Sequence, residues 1–556
     1  MSEPLTRARA YAHAHSHAPL PSRLDRVPTA GVITLFVLLL ALLLHQQRRR
    51  HPLANLPGPR RTSLLLGNAG ELLLSGEPGA AAARWFAAHG STVAYASLLG
   101  TRGVATTDLA ALAHITRSAY DFVKPRNANA LLASILGDGV LTAEGAAHRG
   151  QRRVLNPAFG GGAVRAFVPA FLGATHALAH KWEGVVERGE GGAYTLAEED
   201  KVAGSAKIDV LAGISALTLD ILGTTVFGVE FGALADARHE LAQAYADQAR
   251  AAYRLDPLAL AETQWAVLKL IPSKRRRTVQ RAHATAARVG AALLADARAA
   301  GTDGESRKDL LSLLLRANTD PELRPDQRLT DDEVLAQMTT FLFAGHETTA
   351  GVLAFALRRL ATEPGVQDAL WAEVAAAPED PDHLAALPYL DGFVREVLRL
   401  DGPVTEILRE PARDVVLPLS EPVLGRDGTL LSSIHLRKGD EVYIPIYSVN
   451  RSEAVWGPDA GEFKPARHAA APGAKVPGVW GNLLSFYGGT RNCIGHRFAV
   501  MEIKAVLFVL VRAFVFAPLP SAPRVKRDWM IVVRPVVEGE EGYGPQMPLL
   551  VTPRGE

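Results

Sequence analysis

The sequence predicts a mostly α protein with minor β, set behind one N-terminal transmembrane helix. Three observations carry this. Residues 31–44 read GVITLFVLLLALLL, an uncharged and nearly all-apolar run. From Asp331 to Ala361, the apolar residues Val334, Leu335, Met338, Phe341 and Leu342 recur at helical spacing. The β-like runs are short, at 413–418 and 440–446.

Taken in order, residues 1–26 read as a disordered leader and 27–45 as the membrane helix. Counted from Val27 the apolar stretch is about 18 residues, near the lower limit for a bilayer span. A cleaved signal peptide or transit segment is the alternative. Arg48, Arg49 and Arg50 stand where cleavage would want small residues, which favours an uncleaved anchor. Together with Arg60 and Arg61 they outnumber Arg7, Arg9, Arg23 and Arg26, which favours a cytosolic body. Residues 46–61 form an Arg- and Pro-rich hinge, where Pro57 and Pro59 stop the helix and stiffen the exit. The rest, 62–556, shows no long linker. Surface loops are expected near 183–205 and 299–308, and a longer irregular one at 467–482.

The central helix should run about 30 residues, enough to cross a whole domain. Thr330 is its expected N-cap, followed by the favourable charges of Asp331, Asp332 and Glu333. Pro364 ends it. A second helix covers 388–400, and a third begins near Ile494.

Bulk composition narrows the function. A length of 556 residues suggests three or four domains at about 150 residues each. A net charge of only +2 argues against a wholesale nucleic-acid binder. The single cysteine, Cys493, excludes an intrachain disulfide and any CxxC-type metal site.

Cys493 sits in FYGGTRNCIG, among Gly488, Gly489 and Gly495 and two residues after Arg491. The ordinary reading is a small buried thiol. Its neighbours favour a thiolate instead: free backbone N–H groups, a nearby guanidinium and the start of a helix all stabilise an anion. The central helix carries AGHETT at 344–349. Gly345 costs helix stability and Thr348 can bond back to a carbonyl. This is either a broken helix with an N-cap, or a notch where acid and alcohol deliver protons. Glu396 and Arg399 share one helix face, which alone is an ordinary ion pair.

In order along the chain, AGHETT, Glu396-x-x-Arg399, Phe463-Lys-Pro-Ala-Arg467-His and Phe486-x-x-Gly489-x-Arg491-x-Cys493-x-Gly495 resemble the signature series of the cytochrome P-450 haem-thiolate monooxygenases. The likeness covers about residues 52–550. It implies one large, mainly α domain in place of several, of the microsomal, membrane-anchored type and fungal in style. It implies Cys493 as axial ligand of the iron of haem b, with Phe486 beside the sulfur. Arg491, Arg152 and Arg409 would hold the propionates. Gly489, Ala344 and Gly345 would let backbone approach the porphyrin. Glu347 and Thr348 would be the catalytic acid–alcohol pair. Glu396, Arg399 and Arg467 would form a buried structural triad.

The chain departs from the family pattern in three places. His148 stands where tryptophan is common and can still hydrogen-bond a propionate. Ala466 and His468 flank Arg467 in place of the usual glutamate and aromatic, which implies a lost supporting contact. Substrate-facing positions are expected in the loop from Phe122 to Leu141, at Phe341 and Phe343, and in Val404–Leu408, with Thr405 and Glu406 as polar points. The reaction expected is insertion of one atom of O2 into a lipophilic small molecule of secondary metabolism, by hydroxylation or epoxidation, with a terpenoid as the first guess. Electrons would come from NADPH through a diflavin reductase docking near Arg491, Arg497 and Lys504. The expected location is the endoplasmic reticulum, as a single-pass protein with a cytosolic domain. Two other readings stand beside this one: a haem-thiolate isomerase or dehydratase acting on peroxides, and a non-catalytic membrane haem- or sterol-binding protein.

Overall fold

The apolar periodicity of residues 331–361 becomes the longest element of a computed structural model of the chain, a 32-residue helix at Asp331–Thr362. Thr330 closes a capping box with Glu333: each side chain bonds the other's backbone N–H, satisfying two donors that a helix start otherwise leaves free. Glu363 ends the helix and Pro364 opens the next, where its missing N–H costs nothing. The structure describes residues 51–556 apart from short stretches, the longest at 190–199, 248–257, 300–308 and 320–327. Residues 55–556 form one compact unit. The expected membrane helix at 27–45 lies outside the described residues, as do the leader, residues 190–199 of one expected surface loop and nearly all of the other; residues 183–188 of the first are instead the end of a helix, Gly161–Arg188.

Six helices position the site: α1 (Gly145–Leu155), α2 (Gly161–Arg188), α3 (Val210–Leu222), α4 (Asp331–Thr362), α5 (Pro388–Leu400) and α6 (His496–Ala513). α4 runs through the centre, packed on α3, α5 and α6, with Val334, Leu342, Leu353, Leu357 and Leu360 fully buried. Among the described residues, α2, α4 and the helical stretch Val210–Phe227 are long and apolar enough to cross a membrane. The most apolar window of α4 is 78% buried inside the protein, so core packing accounts for its composition.

The β structure is minor; besides a three-stranded and a two-stranded sheet elsewhere, one part bears on the site. β1 (Thr92–Ala96), β2 (Arg102–Thr106), β3 (Phe122–Val123), β4 (Ile407–Pro411) and, after a hairpin of β5 (Val415–Leu424) with β6 (Leu430–Leu436), β7 (Glu441–Ile444) supply it. They form a five-stranded sheet in the order β1-β2-β7-β4-β3, with only the β2–β7 pair parallel. Phe122 pairs with Pro411 and Val123 with Glu410. That register carries the segments around Lys124 and Arg409 to the same place.

Candidate active site

The Cys493 loop is tied back on itself. The Cys493 N–H donates to the Phe486 carbonyl at 2.9 Å, and Tyr487 between them takes a left-handed φ of 56°. α6 starts at His496, two residues later than expected, with Gly495 before it. The Cys493 side chain is open to a water-sized sphere, yet protein surrounds it on the longer range that sets desolvation. Burial pushes the thiol up, while the Gly495 N–H and the positive charge of Arg152 pull it down. Phe486 packs edge-on against Trp480, with centroids 5.9 Å apart.

The glycines serve the protein's own backbone. A Cβ on Gly489, whose φ is +64°, would meet the Thr116 carbonyl at 2.0 Å, and one on Gly488 would meet the Pro477 carbonyl at 1.9 Å. A Cβ on Gly345 would point at Leu222 of α3, 3.0 Å away. Gly345 and Gly489 were expected to let backbone approach a porphyrin; at Gly489 the missing side chain also makes room for the Thr116 backbone.

α4 is unbroken through AGHETT, so an N-cap in a split helix is excluded. The Thr348 hydroxyl donates to the Ala344 carbonyl at 2.6 Å, the back-bond expected of a mid-helix threonine. Residues 336–340 and 349–357 are buried, whereas Phe341, Ala344, Gly345 and Thr348 remain partly open. Their i, i+3, i+4, i+7 spacing marks one helix face that borders free space. Glu347 is ion-paired with Arg534, both side chains nearly buried. Sequence reasoning missed Arg534, which lies 187 positions away on an unrelated strand.

A cluster of cations gathers where β3, β4, α1 and the cysteine loop meet. Arg152 donates to the Asn492 carbonyl at 2.9 Å and to Asn492 Oδ1 at 2.7 Å, pinning the residue before Cys493. Arg491 binds the Ala143 carbonyl at 2.7 Å and the Glu144 carboxylate. Arg409 donates to the Leu408 carbonyl at 2.9 Å and lies over the Tyr487 ring. Lys124, which the sequence reading did not single out, lies 3.4 Å from Glu144. His148 is buried with Nδ1 3.1 Å from Tyr120 Oη. Burial and the charges of Arg491, Arg152, Lys124 and Arg149 push its imidazole down to about 3, so it is neutral and one ring nitrogen carries an N–H donor. Among the described residues, Glu144 is the only carboxylate within ion-pair reach of Lys124, Arg152, Arg409 or Arg491. A half-buried group of cations with one anion fits a ligand that carries carboxylates, and a single thiol fits a metal in that ligand. Haem, with two propionates and an iron, meets both requirements.

The expected triad is present and larger. Glu396 accepts from Arg399 Nε at 2.7 Å and Nη2 at 2.8 Å, from Arg467 Nε at 3.0 Å and from the Lys464 N–H at 2.8 Å. His468 adds Nε2 at 2.9 Å, so the contact expected to be lost is supplied by the histidine itself. Burial opposes the charge, but hydrogen bonds from Arg399 and His468 hold the Glu396 carboxyl at about 2. The expected polar points of the substrate pocket are occupied elsewhere or enclosed. Glu406 is buried and accepts from the Tyr443 hydroxyl, and Thr405 is 4% exposed. Phe341 packs edge-on against Phe159 and lines a small apolar cavity with Val226, Leu314 and Met338. Of the cations expected at a reductase surface, Arg491 and Lys504 have side chains only 4% exposed; Arg497 is exposed.

A single thiol close to a cluster of cations fits the chemistry of a haem-binding protein. The family model for cytochrome P450 matches residues 57–539, and the chain belongs to that family. Cytochrome P450 monooxygenase 128 of Postia placenta is 38% identical over 526 residues, covering 90% of this chain and 92% of the relative. Cytochrome P450 monooxygenase 205 of the same fungus is also 38% identical, over 522 residues. Cytochrome P450 monooxygenase claP of Ampulloclitocybe clavipes is 31% identical over 92% of this chain and 96% of the relative. The protein is therefore an oxidoreductase of the monooxygenase type, and its family implies a haem cofactor, a redox partner, a substrate and dioxygen.

Proposed function

We propose that the protein is a membrane-anchored haem b monooxygenase that hydroxylates or epoxidises a lipophilic compound of fungal secondary metabolism, with a terpenoid as first candidate. Electrons come from NADPH through a diflavin reductase. The observation that carries this is Cys493, the one thiol of the chain, exposed beside excess positive charge. Haem b, bound through Cys493, supplies the activation of dioxygen for oxygen insertion.

The chain's own residues then divide the work. Arg152, Arg409, Arg491 and His148 orient the propionates by charge-assisted hydrogen bonds. Thr348 Oγ1, fixed on the Ala344 carbonyl, keeps its lone pairs free to accept a proton or an ordered water. Glu347, steered by Arg534 on Oε2, takes up a proton from solvent and passes it toward Thr348. The presence of this pair speaks against the peroxide isomerase and the non-catalytic readings. Glu396, Arg399, Arg467 and His468 hold the segment that precedes the cysteine loop. The apolar lining of the cavity by Phe341 and its neighbours suits a lipophilic substrate.

A single N-terminal span at 27–45 would hold the domain on the cytosolic face of the endoplasmic reticulum. Exposed Leu64, Leu65, Trp265, Val267 and Leu270 suit a protein that rests on lipid. The test is direct. Reduced protein with carbon monoxide should give the red-shifted Soret band of thiolate ligation, and Cys493→Ser should lose it. A thiolate band in the serine variant overturns the reading.

A further inference from the structure

Lys124 and Arg409 present an electrostatic problem that the fold itself creates. The antiparallel register of β3 with β4 pairs Val123 with Glu410, and so brings the next residue, Lys124, near enough to Arg409 to feel its charge. Like charges placed opposite each other destabilise a strand pair, and burial makes it worse. The Lys124 side chain is 9% exposed and that of Arg491 4%. Burial first, then Arg409, pushes the Lys124 ammonium down to about 8.

Glu144 relieves this. One carboxylate oxygen meets Lys124 Nζ at 3.4 Å and accepts from the Lys124 N–H at 3.3 Å; the other accepts from Arg491. Glu144 is also poorly committed to its own place. It is the N-cap of α1, with φ −125° and ψ 163°, yet its side chain caps no N–H of that helix. It is 28% exposed. At an N-cap position the first-turn amides and the positive end of α1 are general attractors for a carboxylate. Arg491 does not depend on it, because the Ala143 carbonyl holds Arg491 Nη1 independently at 2.7 Å.

We propose that Glu144 is an internal stand-in for a haem propionate: it neutralises Lys124 and Arg491, and it yields both cations to the propionate when haem enters. This rests on the haem reading above. It makes Lys124 a propionate-binding residue and Glu144 a competitor that weakens haem retention. The remaining cations keep their present partners through the exchange, since Arg152 is held by Asn492 and Arg409 by Leu408.

The test is haem transfer from the purified holoenzyme to excess apomyoglobin, followed at the Soret band. Glu144→Gln should slow haem loss about tenfold, and Lys124→Met should speed it about tenfold, the scale of one charge-assisted contact. After reconstitution with haem dimethyl ester, whose propionates carry no charge, the Glu144→Gln effect should vanish. Unchanged or faster loss from Glu144→Gln overturns the proposal, as does an equal effect with the ester. Should Glu144→Gln fail to fold, Glu144→Ser is measured the same way with the same two expectations. A wild-type holoenzyme showing the thiolate band keeps the haem reading intact whichever way these variants fall; a wild type that takes up no haem overturns both.

Discussion

His468 Nε2 stands 2.9 Å from Glu396 Oε2, across 72 residues of chain, and makes a four-residue cluster of an expected triad. Its ring also packs edge-on against Trp456 at 5.4 Å, whose own face carries the Arg399 guanidinium. His468→Phe keeps the ring contact and removes the hydrogen bond to a buried carboxylate. The expected loss is about 2 kcal/mol of stability, seen as a lowered urea midpoint with unchanged m.

Glu396 sets an acid limit. Its carboxyl is held at about 2 in the fold against 4.5 for the free group. Its contribution is therefore complete above pH 4.5 and is lost as pH falls toward 2. The shift corresponds to roughly 3 kcal/mol. Glu396→Gln should unfold at neutral pH far more easily than wild type, by about 3–5 kcal/mol, because Arg399 is left buried and unpaired. Acid titrations followed by circular dichroism should show the wild-type loss in that window and none of it in the variant.

Glu502 has the opposite sign. It lies fully buried on α6, and burial pushes its carboxyl up to about 8. The fold keeps a proton that the unfolded chain releases, so stability falls as pH rises from 4.5 to 8. Glu502→Gln removes this dependence. It should be more stable than wild type at pH 8, by about 3 kcal/mol. A variant with an unchanged pH slope overturns the assignment.

Two glycines should respond differently to the same change. Gly489→Ala forces a Cβ onto the Thr116 carbonyl at φ +64° and should abolish haem incorporation, at a cost of about 3 kcal/mol or more. Gly345→Ala meets only the flexible end of Leu222 and gains about 1 kcal/mol of helix propensity. It should fold with near-native stability and full haem content.

Thr348→Ala should cut product formation about a hundredfold while NADPH oxidation continues, with dioxygen diverted to peroxide. Arg534→Met leaves Glu347 unsteered and should produce a weaker form of the same uncoupling, about tenfold. Coupling ratios of product to NADPH measure both. Normal coupling in Thr348→Ala removes the proposed proton route.

What the sequence makes legible here is local. Thr330 and Glu333 lie three residues apart, and the capping box follows from that spacing alone. The extents of α4 and α5 follow from periodicity and flanking prolines. Cys493 stands out because its neighbours within three residues are unusual. Lys124, Glu144, Arg534 and the bond from His468 were hidden because each acts on a group brought in from a distant segment, and no spacing encodes that. The roles of Gly345 and Gly489 were hidden for a related reason. A sequence shows that a side chain is missing, and only the fold shows whose atoms fill the gap.

The hydroxyl of Tyr95 on β1 donates to the carboxylate of Glu441 on β7, 346 residues later. β2, whose neighbour is β7, cannot complete its pairing before that stretch of chain exists. At a ribosomal pace of about 5–20 residues per second, the wait is on the order of 20–70 seconds. Through that interval the β1–β2 hairpin leaves the ribosome with one edge bare, a template for wrong partners. The cysteine loop emerges later still. Biogenesis of this protein is thus a post-translational problem: the first hairpin needs shelter, and cofactor capture belongs to the last moments of synthesis.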